Sequence, residues 1–135
     1  MQDQFIVRIP LQISQNCVDA SIQVDLDTSV IHQFRADLLR LLESSKATAV
    51  ILDVSGVVVM DLLEFEAIKE TIDMARLMGA PSVLAGLQPG VVSSLVELDA
   101  DLDGLEAALN LDDAFQRVAD YRATSAVVDQ RKQGT

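Results

Sequence analysis

The sequence predicts an α/β domain whose mixed, mainly parallel sheet of four or five strands begins with a β-hairpin and packs with about four helices. The first two apolar segments alternate in hydrophobicity and are separated by turn residues, which is the pattern of an antiparallel hairpin. Strand-like and helical periodicities then alternate along the chain, as they do in parallel sheets covered by helices. Half of the 135 residues are hydrophobic, which is enough to form a core of ordinary size.

The hairpin is predicted to consist of the strands "FIVRIP" and "CVDASIQV", joined by "LQISQN". In the first strand Phe5, Val7 and Ile9 point to one side. In the second strand apolar side chains alternate with polar ones. Both strands are therefore expected to be buried on one face only.

A helix is predicted over residues 28–44, because apolar side chains recur there at helical spacing after three capping candidates, Asp27, Thr28 and Ser29. The apolar face contains Ile31, Phe34, Leu38, Leu41 and Leu42. The next segment, "ATAVILDV", is apolar without alternation. This pattern is typical of a strand that is covered on both faces.

The start of the second helix is specified in detail. Asp61 is the predicted N-cap, Glu64 completes a capping box three residues later, and Leu62 is the first helical residue. Gly79 supplies the left-handed residue that ends the helix. The predicted core stripe of this helix consists of Phe65, Ile68, Ile72 and Ala75.

The remaining elements are shorter. "PSVLAG" is predicted as a buried strand, and "LQPGVVSSLVEL" as a helix that begins at Pro89 and turns Val92, Leu95 and Val96 inward. After the acidic loop "DADLDG", the segment "LEAALN" is a candidate edge strand. A last helix is predicted to begin at Asp112, with Leu111, Phe115 and Val118 marking it. Periodicity is lost near Ala123, so we expect one domain over residues 1–122 and a mobile tail over 123–135.

Composition limits the classes of partner and the cellular location. Ten basic and 21 acidic residues give a formal net charge of -11, which disfavours nucleic acid and anionic membranes as partners. The single cysteine, Cys17, excludes an intramolecular disulfide. No segment approaches the roughly 18 apolar residues of a membrane span, and the first residues do not resemble a secretory signal. We therefore expect a cytoplasmic protein.

The side chains that usually carry catalysis or bind metals are scarce. The only histidine, His32, has no metal-binding neighbours at helical spacing, and Cys17 has no histidine to activate it. No glycine-rich phosphate loop is present. Asp53 and Asp61 both have structural roles, at a strand end and at a helix cap. The sequence therefore predicts a protein that is not an enzyme and needs neither metal nor cofactor.

Four segments resemble the STAS domain proteins related to anti-sigma factor antagonists, and most closely the RsbS-type subunit of the stressosome. They are "NCVDASIQVDLD", "AVILDVSGVVVMD", "ARLMGAPSVLAGLQPGVVSSLVEL" and "LEAALNLDDAF". The resemblance covers residues 6–118. It implies a STAS fold and a cytoplasmic, non-catalytic signalling scaffold. It also implies that the protein forms homodimers, co-assembles with RsbR-type subunits and sequesters an RsbT-type switch kinase.

In RsbS-type relatives the kinase phosphorylates a serine that follows an aspartate at the helix start after the third strand. Asp61 matches the aspartate, and Leu62 stands in place of the serine. The resemblance therefore implies that this position is not phosphorylatable and that Asp61, Leu62 and Leu63 form the partner interface. The alternative for the two leucines is packing against a neighbouring strand end or a second copy of the chain.

A second phosphorylation position of the family falls on Ser94, which keeps a hydroxyl. The alternative for Ser94 is a helical serine that hydrogen-bonds to the preceding turn, and Ser55 is interpreted as a turn-forming residue. Two other functions stay open at this point: a purely structural STAS assembly subunit without kinase capture, and a STAS module that senses a small ligand.

Overall fold

A computed structural model describes residues 8–133, which form a five-stranded sheet and four helices. The strands are β1 (Leu11–Ser14), β2 (Cys17–Ser21), β3 (Ala49–Asp53), β4 (Ser82–Ala85) and β5 (Ala107–Ala108). The helices are α1 (Thr28–Ser44), α2 (Leu62–Leu77), α3 (Pro89–Glu97) and α4 (Leu111–Gln133). The strands lie side by side in sequence order, with β1 antiparallel to β2 and all other neighbours parallel. The predicted mixed, mainly parallel architecture with an initial hairpin is confirmed.

The first strand of the hairpin lies later in the chain than predicted. β1 occupies Leu11–Ser14, part of the segment predicted to join the two strands, and residues 8–10 of "FIVRIP" are not in a strand. Residues 5–7 lie outside the described residues. The turn itself is Gln15 and Asn16, with φ angles of 52° and 59°. Two consecutive positive φ angles suit the twist of a two-residue hairpin, but Gln-Asn contains no glycine and is therefore a weak turn signal.

β2 is buried on both faces, so the prediction of a half-buried strand is wrong. Val18 and Ala20 belong to the larger core, which lies under α1, α2 and α3. Asp19 points to the opposite face and is only 6% exposed. That face carries a second, smaller core, whose buried members are Cys17, Ala49, Ile51, Val83, Ala85, Ala108, Ala114 and Val118. The two cores make the sheet a central layer, and α4 comes from the far end of the chain to cover its second face.

The first two helices and the strand between them agree with the sequence. α1 has the predicted bounds, and its buried side chains include Phe34 and Leu38. β3 is buried on both faces. α2 begins at Leu62 and buries the predicted stripe, and Gly79 after it has a φ of 83°.

α3 begins at Pro89 as predicted, but it presents a different face to the core. Val91 and Leu95 are buried, whereas Val92 and Val96 are 40% and 60% exposed. The predicted inner face was therefore wrong for both of these valines. In a helix of nine residues with four apolar side chains, two adjacent faces satisfy the helical period equally well.

α4 begins one residue earlier than predicted and is much longer. The Oδ1 atom of Asn110 accepts a hydrogen bond from the backbone N–H of Asp113 at 2.9 Å, so Asn110 caps the helix. The helix continues to Gln133. The loss of periodicity near Ala123 therefore does not end the helix, while the domain boundary at residue 122 and the mobile tail over residues 123–135 stay predictions. β5 is a two-residue edge strand, in the segment predicted for it.

Candidate partner-binding site

The predicted site lies where the parallel strands β2, β3 and β4 reach their carboxyl ends. Open α/β sheets commonly bind their ligands and partners at this edge. Three loops meet there: residues 22–27, 54–61 and 86–88. The side-chain amide of Gln88 donates to the backbone oxygen of Ser55 at 2.7 Å, which joins the last two loops.

Ser55 is held in a tight turn. The Oδ1 atom of Asp53 accepts hydrogen bonds from the Ser55 backbone N–H at 3.0 Å and from its hydroxyl at 2.7 Å. Gly86 packs directly against this turn with a φ of 79°, and a Cβ atom on Gly86 would lie 2.8 Å from the Ser55 Cβ atom. These contacts agree with the interpretation of Ser55 as a turn-forming residue.

The start of α2 is fixed by a complete capping box. The Oδ1 atom of Asp61 accepts a hydrogen bond from the Glu64 backbone N–H at 2.7 Å. In return, the Oε1 atom of Glu64 accepts one from the Asp61 backbone N–H at 3.3 Å. The predicted cap is confirmed, and with it the position of Leu62 as the first helical residue.

Glu64 has a second contact that sequence reasoning missed. Its Oε2 atom accepts a hydrogen bond from the backbone N–H of Leu26 at 3.2 Å. This bond ties the loop before α1 to the start of α2. The two residues are 38 positions apart in sequence, and no local pattern connects them.

Apolar side chains surround the capped helix start. Leu62 is half-buried, whereas Leu63 is 78% exposed. Val58 and Val59, in the loop before the helix, are 71% and 75% exposed. We call Val58, Val59 and Leu63 the apolar patch. The exposure of Leu63 means that it does not pack against a strand end of its own chain.

A cavity of about 290 Å³ lies beside the patch, between residues 22–26 and residues 56–60. Among the described residues that line it are Asp25 and Glu64, and none of these lining residues is a lysine, an arginine or a histidine. Phosphate groups are bound by cations or by free backbone N–H groups. This cavity offers no cation, and its negative charge opposes a nucleotide.

The other residues singled out in the sequence lie apart from the helix start. Ser94 is half-buried on α3, and its hydroxyl makes no hydrogen bond with the rest of the described chain, so the expected bond to the preceding turn is not seen. His32 is exposed on α1. Cys17 is buried, and burial raises the pKa of its thiol, although the nearby Arg122 guanidinium partly offsets this effect. Among the side chains that the structure describes, no three acidic, histidine or cysteine residues are grouped closely enough to bind a metal ion.

Comparison with known proteins agrees with this architecture. Residues 8–114 match the STAS domain family. The chain belongs to this family. Among solved structures, this STAS domain is similar to RsbS of Moorella thermoacetica carrying a serine-to-glutamate substitution, at 28% identity and a TM-score of 0.73. That alignment covers 85% of this chain and 97% of the RsbS chain.

Two further comparisons find similarity to stressosome and RsbR-type proteins. One solved structure is described as the molecular architecture of the stressosome, a signal integration and transduction hub. A chain in that structure is 26% identical to this chain, with a TM-score of 0.73. The alignment covers 84% of this chain and 98% of that chain. The RsbT co-antagonist protein RsbRA of Bacillus subtilis is 28% identical over 98 residues, which is 65% of this chain and 36% of RsbRA. The STAS domain thus spans about a third of the length of its curated relatives. In its described part, no helix has both the length and the hydrophobicity needed to cross a bilayer.

Proposed function

We propose that this STAS domain is a non-catalytic signalling scaffold of the stressosome type that holds a switch kinase at the start of α2 and does not release it on phosphorylation. The observation that carries the proposal is Leu62 at the first position of a fully capped helix. The similarity to RsbS and to RsbR-type proteins supports the scaffold role. The proposal includes a cytoplasmic homodimer that co-assembles with RsbR-type subunits.

A hydroxyl at position 62 would be well placed for a phosphate switch. Free backbone N–H groups and the helix dipole stabilise an exposed anion at a helix start by about 0.3–1 kcal/mol. A phosphate also adds up to two negative charges to the surface that faces the partner. Leu62 has no oxygen to accept a phosphate, so this surface keeps one charge state.

The surroundings of Leu62 favour a partner that is both apolar and basic. Val58, Val59 and Leu63 present apolar area to solvent, and the nearby carboxylates of Asp61 and Glu66 are on exposed residues. Apolar area supplies most of the binding free energy at such a contact, whereas the charges orient the partner. The partner surface is therefore expected to surround an apolar centre with lysine or arginine.

The test compares the native protein with Leu62→Ser in the presence of an RsbT-type kinase from the same organism, with and without Mg-ATP. We expect the native protein to retain the kinase in a pull-down under both conditions and to gain no phosphate by intact mass. Leu62→Ser should gain one phosphate and release the kinase. The matched control is Leu62→Ala, which shortens the side chain without adding a hydroxyl and should retain the kinase with or without ATP.

Phosphate on Ser94 or Ser55 of the native protein, followed by kinase release, would show that the switch uses another residue. A native protein that never binds the kinase would favour the alternative of a purely structural assembly subunit. The alternative of a nucleotide sensor is opposed by the carboxylates of Asp25 and Glu64 in the cavity beside α2.

A further inference from the structure

A second surface feature lies away from the start of α2, between α4 and the β4–β5 edge of the sheet. It is a groove of about 670 Å³, which we call the α4 groove. Its apolar lining residues are Pro81, Val83, Leu109, Val118 and Tyr121, and its charged and amide-bearing lining residues, which we call the rim, are Glu106, Asp113, Gln116, Arg117 and Asp120. The volume is in the range of pockets that bind ligands or partner side chains.

One wall of the α4 groove is an open strand edge. β5 pairs only with Leu84 and Ala85, so Ser82 has no strand neighbour on that side. The backbone N–H of Leu84 donates to Glu106 across the edge at 2.9 Å, whereas the oxygen of Pro81 accepts from Val50 on the β3 side. Alternation along the strand therefore directs the N–H and C=O of Ser82 toward the groove.

Neither backbone group of Ser82 makes a hydrogen bond across that edge with the described residues. Its side chain is on the same face as Leu84, because residues two apart in a strand share a face. Leu84 belongs to the larger core on the far side of the sheet. Ser82 is only 6% exposed, but its main-chain N–H and C=O are directed toward the groove and are unpaired there among the described residues, and an added strand can satisfy such groups.

The rim of the α4 groove has an excess of negative charge. Arg117 pairs with Glu106 at 3.3 Å, which leaves the carboxylates of Asp113 and Asp120 without a cationic partner among the lining residues. Asp120 accepts one hydrogen bond, from the Gln116 amide at 2.9 Å. Both aspartates are exposed and are free to contact a cation that enters the groove.

We infer that the α4 groove binds an extended segment of a partner protein in which basic and apolar side chains alternate. The segment pairs its backbone with Ser82, places apolar side chains on the exposed Leu109 and Tyr121, and directs lysine or arginine toward Asp113 and Asp120. A second copy of this chain is a poorer occupant of the groove, because no two of its ten basic residues are two positions apart in the sequence, so that it has no segment of alternating basic and apolar side chains. This inference does not depend on the kinase site at α2.

The test uses amide NMR spectra of the uniformly ¹⁵N-labelled protein, titrated with an acetylated and amidated hexapeptide of alternating lysine and valine. We expect saturable shifts at Ser82, Leu109 and Tyr121, and weaker binding as salt is raised. A hexapeptide with glutamate in place of each lysine should not bind. Equal effects of the two peptides, or shifts confined to residues 58–64, would overturn the inference.

Asp113→Asn combined with Asp120→Asn removes the two free carboxylates and should weaken binding about tenfold, because two exposed ion pairs are lost. The control combines Glu43→Gln with Glu97→Gln, which makes the same change in net charge at exposed positions and should leave the affinity unchanged. Equal weakening by both pairs would mean that only overall charge matters, which contradicts a site in the groove. Concentration-dependent shifts at Ser82 without peptide would make a second copy the occupant and would also overturn the inference.

Discussion

The carboxylate of Glu64 joins two segments that are far apart in sequence. One of its oxygens accepts from Asp61 and the other from Leu26. Together with the bond that Asp61 accepts from the Glu64 backbone, these contacts hold Leu62 and Leu63 in a defined direction. The apolar side chains that we propose as the partner contact are thus positioned by polar groups beside them.

Asp61→Ala should lower the free energy of unfolding by about 1 kcal/mol, because it removes the side-chain acceptor for an unpaired backbone N–H at the helix start. Urea denaturation measures the change. Asp61→Ser retains an acceptor oxygen and serves as the control, with a much smaller effect expected. If Asp61→Ala and Asp61→Ser are equally stable, the cap does not contribute as proposed.

Asp27 caps α1 and gives a prediction about pH. Hydrogen bonds from the backbone N–H of Val30 and the hydroxyl of Ser29 hold the pKa of Asp27 below its ordinary value of 3.8. The resulting stabilisation is complete above that ordinary value and is lost as the pH falls through the lower pKa of the folded protein. As the pH falls, the native protein should therefore lose more stability than the Asp27→Asn variant, because the asparagine side chain also caps the helix but has no carboxylate to protonate.

The comparison isolates Asp27, because all other carboxylates titrate in both proteins. Urea midpoints measured from about pH 6 down to about pH 2 should show a difference between the two proteins that changes only below about pH 4. A difference that stays constant through the acid range would mean that the charge of Asp27 adds nothing to the cap.

Among the helices, α4 depends most on contacts outside its own sequence. Its first half packs Ala114 and Val118 on the second face of the sheet. Arg122 then donates to the backbone oxygens of Gln15 and Asn16, at 2.8 Å and 2.7 Å, and to the Thr48 hydroxyl at 2.6 Å. These bonds connect the helix to the turn of the hairpin and to the start of β3.

Arg122→Ala should lower the free energy of unfolding by about 1–3 kcal/mol, because three acceptors lose a charged donor. Arg122→Lys should recover only part of this loss, since one ammonium group does not reproduce the geometry of the guanidinium. Arg131→Ala, at an exposed position of the same helix, is the control and should change little. If urea denaturation shows that Arg122→Ala is as stable as the native protein, the hydrogen bonds of Arg122 contribute no net free energy to folding.

The molecule as a whole has two separate surface features, an apolar patch and a groove with an acidic rim. The apolar patch and capped helix start lie at the carboxyl ends of the strands, and the α4 groove lies along the β4–β5 edge. Because the residues involved do not overlap, the proposed kinase and the proposed second partner would contact separate surfaces. The strong net negative charge favours basic partners at both.

Assembly and kinase capture are expected to be separable. We expect light scattering to show at least a homodimer at micromolar concentration and a larger particle when RsbR-type subunits are co-expressed. Leu63→Asp places a charge in the apolar patch and should abolish kinase capture while leaving the dimer intact. A strict monomer that does not co-elute with such subunits would contradict the scaffold proposal, and loss of the dimer in Leu63→Asp would assign the patch to assembly.

Much of the candidate site is local and was therefore predictable. The capping box spans four residues, so its two carboxylates identify the helix start and place Asp61, Leu62 and Leu63 there. The bounds of α1 and the double burial of β3 likewise follow from side-chain spacing within one element. The replacement of a serine by Leu62 comes from the resemblance to RsbS-type proteins and stays a prediction.

The remainder was decided by residues that meet only after folding. β2 is buried on both faces because α4 returns from the end of the chain, and α4 stays helical past Ala123 although its local pattern fades. Arg122 of that helix donates a hydrogen bond to Gln15, 107 positions away in the sequence. Glu64 accepts one from Leu26, 38 positions away. Local periodicity reports which faces of an element are apolar, but the neighbours that cover a face or accept a hydrogen bond are supplied by the tertiary structure.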